Sequence, residues 1–279
     1  MSARHYHVDD HDDMGGLHRD LLATGRTMDR RRVLQLAAQL GAGMGFLRLL
    51  GCSDASVAGS DNGTNTNTAS CPTKIPEETA GPFPADSSNG VNVLNLPGVV
   101  RGDITTSFAG LSGTAAGVPL TIALTLVSAS SCAPLSNRAI YLWHCDRGGL
   151  YSLYSAGATN QNYLRGVQQT DANGKVSFTS IFPACYAGRW PHIHFEVYPS
   201  LATATTAANK VATSQIALPK AICDEVYATT GYSQSVTNLS RISLATDGIF
   251  SDGSSLELAT MSGTVASGLT ATLTIGVNA

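Results

Sequence analysis

A β-sandwich of the all-β class is the fold this 279-residue chain predicts. Segments of alternating apolar and polar residues lie between Gly, Pro, Asn and Asp turn signals from Leu120 to Val277. No βαβ rhythm, internal repeat or heptad interrupts them. Only 13% of residues are charged, and Gly, Ser, Thr and Ala are abundant, as suits half-buried strands with tight turns.

The first element is a leader, residues 1–51. Asp29-Arg30-Arg31-Arg32-Val33-Leu34 is a twin-arginine pattern, followed by a Gly/Ala/Leu-rich stretch to Leu50. Gln35, Gln39 and Arg48 make that stretch too polar and too short for a transmembrane span. Leu49-Leu50-Gly51-Cys52 resembles a bacterial lipoprotein signal, which implies a lipid anchor through Cys52. The expected location is therefore the bacterial cell envelope, periplasm or cell surface, reached by the twin-arginine route. An amphipathic helix with a basic start is the plainer reading, and Met28 is an alternative start. Residues 52–70 form the second element. From Ser53 to Ser70 the only large apolar residue is Val57, so too little surface can be buried to offset ordering entropy, and a flexible tether is expected.

Residues 71–279 make the folded domain. Glu77 to Phe83, punctuated by Gly81 and Pro82, reads as an irregular arm. Strands are expected at Leu120–Ser128, Ala139–His144, Lys175–Ile181, His192–Tyr198, Thr213–Leu218, Ser254–Gly263 and Leu269–Val277. Thr170-Asp-Ala-Asn-Gly-Lys175 carries a hairpin signal, and Ala221–Thr230 a short helix. After residues 1–51 the chain keeps ten Lys/Arg against fourteen Asp/Glu, with no basic run, so nucleic acid is not an expected partner. Without Cys52, five cysteines remain, Cys71, Cys132, Cys145, Cys185 and Cys223. In an oxidising compartment two disulfides and one free thiol fit; Cys145 and Cys185 could bridge the walls of a site, although sequence does not decide pairing.

The densest chemistry lies in Tyr186-Ala-Gly-Arg189-Trp-Pro-His192-Ile-His194. Residues i and i+2 of a strand share a face, roughly 6.5–7 Å apart. His192 and His194 can therefore aim at one metal ion while Ile193 turns into a core. Four of the seven histidines (His5, His7, His11 and His18) fall in the leader, which leaves only His144 outside this pair. His144 reads as a packing or hydrogen-bonding residue of a strand.

Further blocks surround the motif. They are Trp143-His144, Gly149-Leu-Tyr151-Ser152, Leu164-Arg165, Thr170-Asp-Ala-Asn-Gly174 and Pro183-Ala-Cys-Tyr186-Ala-Gly-Arg189. In this order, from about Cys71 to Val277, the chain resembles the intradiol ring-cleavage dioxygenases, in particular an exported single-domain subgroup. The resemblance implies a transthyretin-like sandwich topology and a non-haem Fe(III) site held by Tyr151, Tyr186, His192 and His194. It also implies cleavage of a catechol by O2 between the two hydroxyl-bearing carbons, giving a cis,cis-muconate-type diacid. Arg189 would stabilise charge developing on the ring, Tyr186 would take a substrate proton, and Gln215 would stand near the substrate oxygens. The ligand set is chemically sensible, because phenolate is a hard anionic donor and a bound cation favours the charged phenol.

Two departures from the family pattern stand out. The helical N-terminal dimerisation domain of typical catechol 1,2-dioxygenases has no counterpart here, though a homo-oligomer stays open. Ala184-Cys185 precedes Tyr186 where Gly-Trp is common in the exported subgroup, which bears on pocket shape. No second Arg/Lys cluster stands ready for a substrate carboxylate, which favours catechol-like or hydroxyquinol-like rings over protocatechuate. The competing readings are a zinc or cupin-like site, with Glu196 sharing the face of His194, and a ligand-binding β-sandwich without chemistry.

Overall fold

The structure, a computed structural model, describes residues 71–278. The signal and tether readings for residues 1–51 and 52–70 lie outside them. Eight strands form: β1 (Pro119–Ser128), β2 (Ala139–Trp143), β3 (Arg165–Gln169), β4 (Lys175–Ile181), β5 (His192–Tyr198), β6 (Ala212–Ala217), β7 (Thr260–Thr264) and β8 (Gly268–Val277). Two short helices, α1 (Lys220–Tyr227) and α2 (Ser233–Leu239), follow β6. The strands make two four-stranded sheets, ordered β4-β1-β8-β7 and β3-β2-β5-β6. Every pairing is antiparallel except β1 with β8.

The core lies between the sheets. Leu120, Ile122, Leu124 and Phe178 from the first sheet join Ile140, Leu142, Ile193, Phe195, Val197 and Ile216 from the second. All are 0–1% exposed, and each such side chain contributes about 1.5–3 kcal/mol on leaving water. The expected alternation holds in β1 and β4, whose second faces meet water. β5 is buried throughout, because loops and the arm cover the outer face of its sheet. That cover leaves room for polar residues on a buried face.

Several local expectations change. Strand β3 was not expected; Arg-Gly-Val-Gln-Gln has a single apolar residue, and its pairing with β2 makes it a strand. The turn before β4 is not a hairpin, because β3 and β4 belong to different sheets and the chain crosses between them there. Gly174 has φ +71°, and a Cβ there would collide with the Leu126 carbonyl oxygen, so the crossing hugs β1. The expected strand from Ser254 shrinks to β7. Glu257 O and Ala259 N bond Ala217 of the second sheet before the chain joins β8 of the first, so one apolar run serves both sheets. Helix α1 starts one residue earlier than expected and ends three earlier, and α2 was missed.

One disulfide forms among the described residues, Cys71–Cys132, with Cα atoms 4.9 Å apart. Cys145, Cys185 and Cys223 are buried free thiols, so the expected second disulfide and the Cys145–Cys185 bridge are not present. Their sulfurs turn instead to the carbonyls of Ala184, Arg189 and Leu218. Burial pushes the Cys145, Cys185 and Cys223 thiols up, away from the reactive thiolate.

Candidate active site

Register places the site residues in one row across the second sheet. Arg165 of β3 pairs with Trp143 of β2, Trp143 with His194 of β5, and His194 with Gln215 of β6. With a period of two, these side chains share the outer face with His192, while Ile193 enters the core as expected.

His192 and His194 bring their Nε2 atoms to 3.1 Å. The Oη atoms of Tyr151 and Tyr186 approach His192 Nε2 at 3.4 and 3.3 Å. The four predicted ligands therefore meet at one point, although they come from a loop, a turn and a strand. Donors about 2.0–2.1 Å from one first-row ion stand roughly 3 Å from each other, which this crowding matches. His192 Nδ1 lies 2.6 Å from the Trp190 carbonyl, which fixes its proton there and leaves the Nε2 lone pair facing the cluster. His194 Nδ1 is buried without a hydrogen-bond partner. Burial lowers both imidazoles well below their ordinary pKa; the Arg189 charge adds to this at His192, and His192 and then Arg189 add to it at His194. Both rings are neutral, as ligands must be. Two histidines and two phenols with adjacent lone pairs fit a hard trivalent cation.

The tyrosines reach the point by different means. Tyr151 is 2% exposed and sits in a tight loop, its N–H donating to Ser155 Oγ at 2.9 Å. Arg165 clamps that loop, donating to Ser152 Oγ and Ser152 O at 3.0 Å each, to Pro84 O at 3.0 Å and to Tyr141 Oη at 3.2 Å. Leu153 and Leu164, both at positive φ, flank the clamp. Tyr186 is partly exposed and marks the open side of the cluster. Helices α1 and α2 fix its approach: Tyr227 Oη bonds Pro183 O at 3.1 Å, and Ser235 and Asn238 bond the Cys185 backbone at 3.0 and 2.8 Å. Gly149, at φ +89°, keeps the facing turn close, since a Cβ there would stand 3.2 Å from Tyr186 Cβ.

Arg189 is fully buried. Its Nε donates to Asp247 Oδ2 at 3.0 Å and its Nη2 to Gln215 Oε1 at 2.7 Å. Gln215 Nε2 in turn donates to Thr79 O of the arm at 2.9 Å. Both predicted residues thus join the site in one chain of hydrogen bonds.

Two other readings receive answers. His144 is buried away from the cluster, bonded to Cys145 O and Ser180 Oγ at 2.7 Å each. Glu196, the cupin candidate, is engaged by Tyr198 Oη and Lys210 Nζ at 2.7 Å each.

Sequence reasoning did not find Trp143 under His194, Asp247 beside Arg189, Arg165 as a clamp, or Phe83 against Tyr151 with ring centroids 5.0 Å apart. Strand parity could have found Trp143, and Asp247-Gly248 is a turn signal. Nothing local pointed Asp247 at Arg189. A concavity of about 640 Å³ lies on the outer face of the first sheet among Thr125, Lys175 and Thr274. Its lining gathers no convergent donor set like the cluster's.

Residues 101–209 match the Dioxygenase_C family model, described as a dioxygenase. This segment includes Tyr151, Tyr186, Arg189, His192 and His194 and stops before Gln215 and Asp247. An intradiol ring-cleavage dioxygenase from Tetranychus urticae has a similar fold, with TM-score 0.53 and 23% identity, over 64% of this chain and 87% of that one. A second dioxygenase crystal structure gives TM-score 0.52 and 24% identity, over 64% and 86%. No curated protein matches the chain. The fold is thus a β-sandwich of the kind these dioxygenase structures share. More narrowly, residues 101–209 are a dioxygenase-family segment, and its fold resembles that of an intradiol ring-cleavage dioxygenase.

Proposed function

We propose that this protein is a non-haem Fe(III) dioxygenase that opens a catechol between its hydroxyl-bearing carbons with O2, giving a cis,cis-muconate-type diacid. The observation that carries the reading is the convergence of Tyr151 Oη, Tyr186 Oη and His194 Nε2 on His192 Nε2, at 3.1–3.4 Å. Two phenolates offset most of a trivalent charge and favour the ferric state over the ferrous state served by two histidines and a carboxylate. Ferric iron held by these four side chains would supply Lewis acidity toward the catechol oxygens.

The chain's own groups do the rest. Tyr186 Oη, on the open side, accepts one catechol proton. Tyr151 and the two histidines, all about 2% exposed, form the fixed floor. Arg189, inside a dry wall, stabilises negative charge on the ring, and Gln215 holds its Nη2 edge in place. Phe83, packed on Tyr151, helps exclude water. For the leader, we propose twin-arginine export with acylation at Cys52, on the pattern of residues 1–52.

The test is the visible spectrum of purified, iron-loaded protein, before and after catechol is added without oxygen. A tyrosinate-to-iron band that shifts with catechol, followed by ring-opened diacid once O2 is admitted, is expected. Full iron occupancy without colour would overturn the tyrosine assignment.

A further inference from the structure

We propose that Asp247 is a positioning residue for the reaction: it locks the Arg189 guanidinium in the plane that presents its outer edge to the reacting ring. The inference rests on the reading of the site given above. Asp247 is completely buried, lies 58 residues beyond Arg189 in sequence, and falls outside the segment that the family model matches.

Four N–H groups converge on its carboxylate. Oδ2 accepts from Arg189 Nε at 3.0 Å and from the Trp190 backbone at 2.7 Å. Oδ1 accepts from the backbones of Ile249 and Phe250 at 2.8 and 3.1 Å. Only a carboxylate accepts on both oxygens; an asparagine would turn an NH2 toward one pair of donors. The first pair fixes Arg189 beside the segment that leads to His192, whose Nδ1 is bound by the carbonyl of the same Trp190. The second pair fixes the turn carrying Phe250, whose ring centroid is 6.5 Å from that of His192.

The guanidinium is therefore held at two points, Nε on Asp247 and Nη2 on Gln215. Two fixed points set the plane of a rigid fork, which one would not. Asp247 also places a carboxylate next to a buried cation, lowering the cost of keeping Arg189 charged in a dry wall. The C-terminal segment thereby supports a site whose four clustered side chains, with Arg189 and Gln215, lie between Tyr151 and Gln215.

The test is a double-mutant cycle on the iron-loaded enzyme. Asp247→Asn is expected to lower kcat by roughly 10- to 100-fold, with iron content, the visible band and anaerobic catechol affinity close to wild type. In an Arg189→Ala background the same change should cost little further, because its route of action is gone. Equal losses in both backgrounds, or no loss in either, would overturn the proposal. Because Asp247 also joins two chain segments, a second measurement does not depend on the variant folding. In ¹⁵N spectra of metal-free wild-type protein, Arg189 Nε–H should exchange slowly and shift downfield; a rapidly exchanging signal would count against the lock. Absence of the tyrosinate band in wild-type iron protein would defeat the proposed function, while the nitrogen spectrum would still judge the Asp247–Arg189 pair.

Discussion

Trp143 lies flat against His194, with ring centroids 5.0 Å apart and planes 3° from parallel. Tyr141 in turn stacks on Trp143, with ring centroids 4.9 Å apart. The ligand ring is thus oriented by packing on its face, while its Nδ1 has no hydrogen bond to steer it. Trp143→Ala should cost roughly 3–5 kcal/mol of stability and, by freeing His194, weaken iron binding by about 10-fold or more. Trp143→Phe keeps a ring beneath His194 and should retain most of the iron. Chelator competition reads the difference; equal iron loss in both variants would show that the stack does not orient the ligand.

The two tyrosines should not be equivalent. Tyr151 is enclosed and Tyr186 partly exposed, so Tyr151→Phe should lose more iron per chain than Tyr186→Phe. Tyr186→Phe, which removes the proposed proton acceptor, should instead reduce turnover at saturating catechol by roughly 10²- to 10⁴-fold. Metal analysis beside steady-state kinetics separates the two, and the reverse pattern would exchange their roles.

Arg165 should matter for folding more than for chemistry. Arg165→Met strands the buried carbonyl of Ser152, at about 1–3 kcal/mol for the unsatisfied group, while Pro84 O keeps Tyr141 Oη at 2.7 Å. A loss near 3 kcal/mol corresponds to a melting point lower by roughly 6–12 °C for a domain of this size. Calorimetry showing an unchanged melting point would contradict the clamp.

His144 makes stability depend on pH. Burial lowers its pKa from the ordinary histidine value of 6.5 to about 4. The unfolded chain therefore binds a proton at pH values where the folded protein does not. The stability from this group is complete above pH 6.5 and declines as pH falls toward 4, by up to roughly 3 kcal/mol. Urea titrations from pH 7 to pH 4 should show the decline, and it should become shallower in a folded His144→Gln variant, with the buried His192 and His194 supplying the remainder. The same slope in both proteins would assign it elsewhere.

The Cys71–Cys132 bond joins residues 61 apart and pins the start of the arm. On the chain-entropy account its loss costs about 4 kcal/mol. Cys71→Ser with Cys132→Ser should lower the urea midpoint accordingly, and since the arm supplies Thr79 O to Gln215, it should also loosen the site. An unchanged midpoint would mean the arm is held by its other contacts alone.

Much of this was legible in the chain. Strand periodicity located β4 and β5 with their observed bounds, and β1, β2, β6 and β8 within a residue at each end. Each of these strands alternates or is apolar enough to declare its faces. His-x-His on a strand determined that two imidazoles share a face, and motif order with the family resemblance singled out Tyr151, Tyr186, Arg189 and Gln215. Strand β3 and helix α2 were illegible because Arg-Gly-Val-Gln-Gln and Ser-Gln-Ser-Val-Thr-Asn-Leu carry little apolar pattern; neighbours, not propensity, hold them.

The sequence by itself therefore determined the sandwich class, the strand faces and the chemical kind of the site, since these follow from local periodicity and residue type. Only the tertiary structure decided which sheet each strand joined, that the turn at Gly174 crosses between sheets, and that Cys145 and Cys185 stay apart. It alone also brought Trp143 beneath His194 and Asp247 onto Arg189. Those relationships join residues far apart in the chain through packing and burial, and no local pattern encodes which distant partner will satisfy a buried charge.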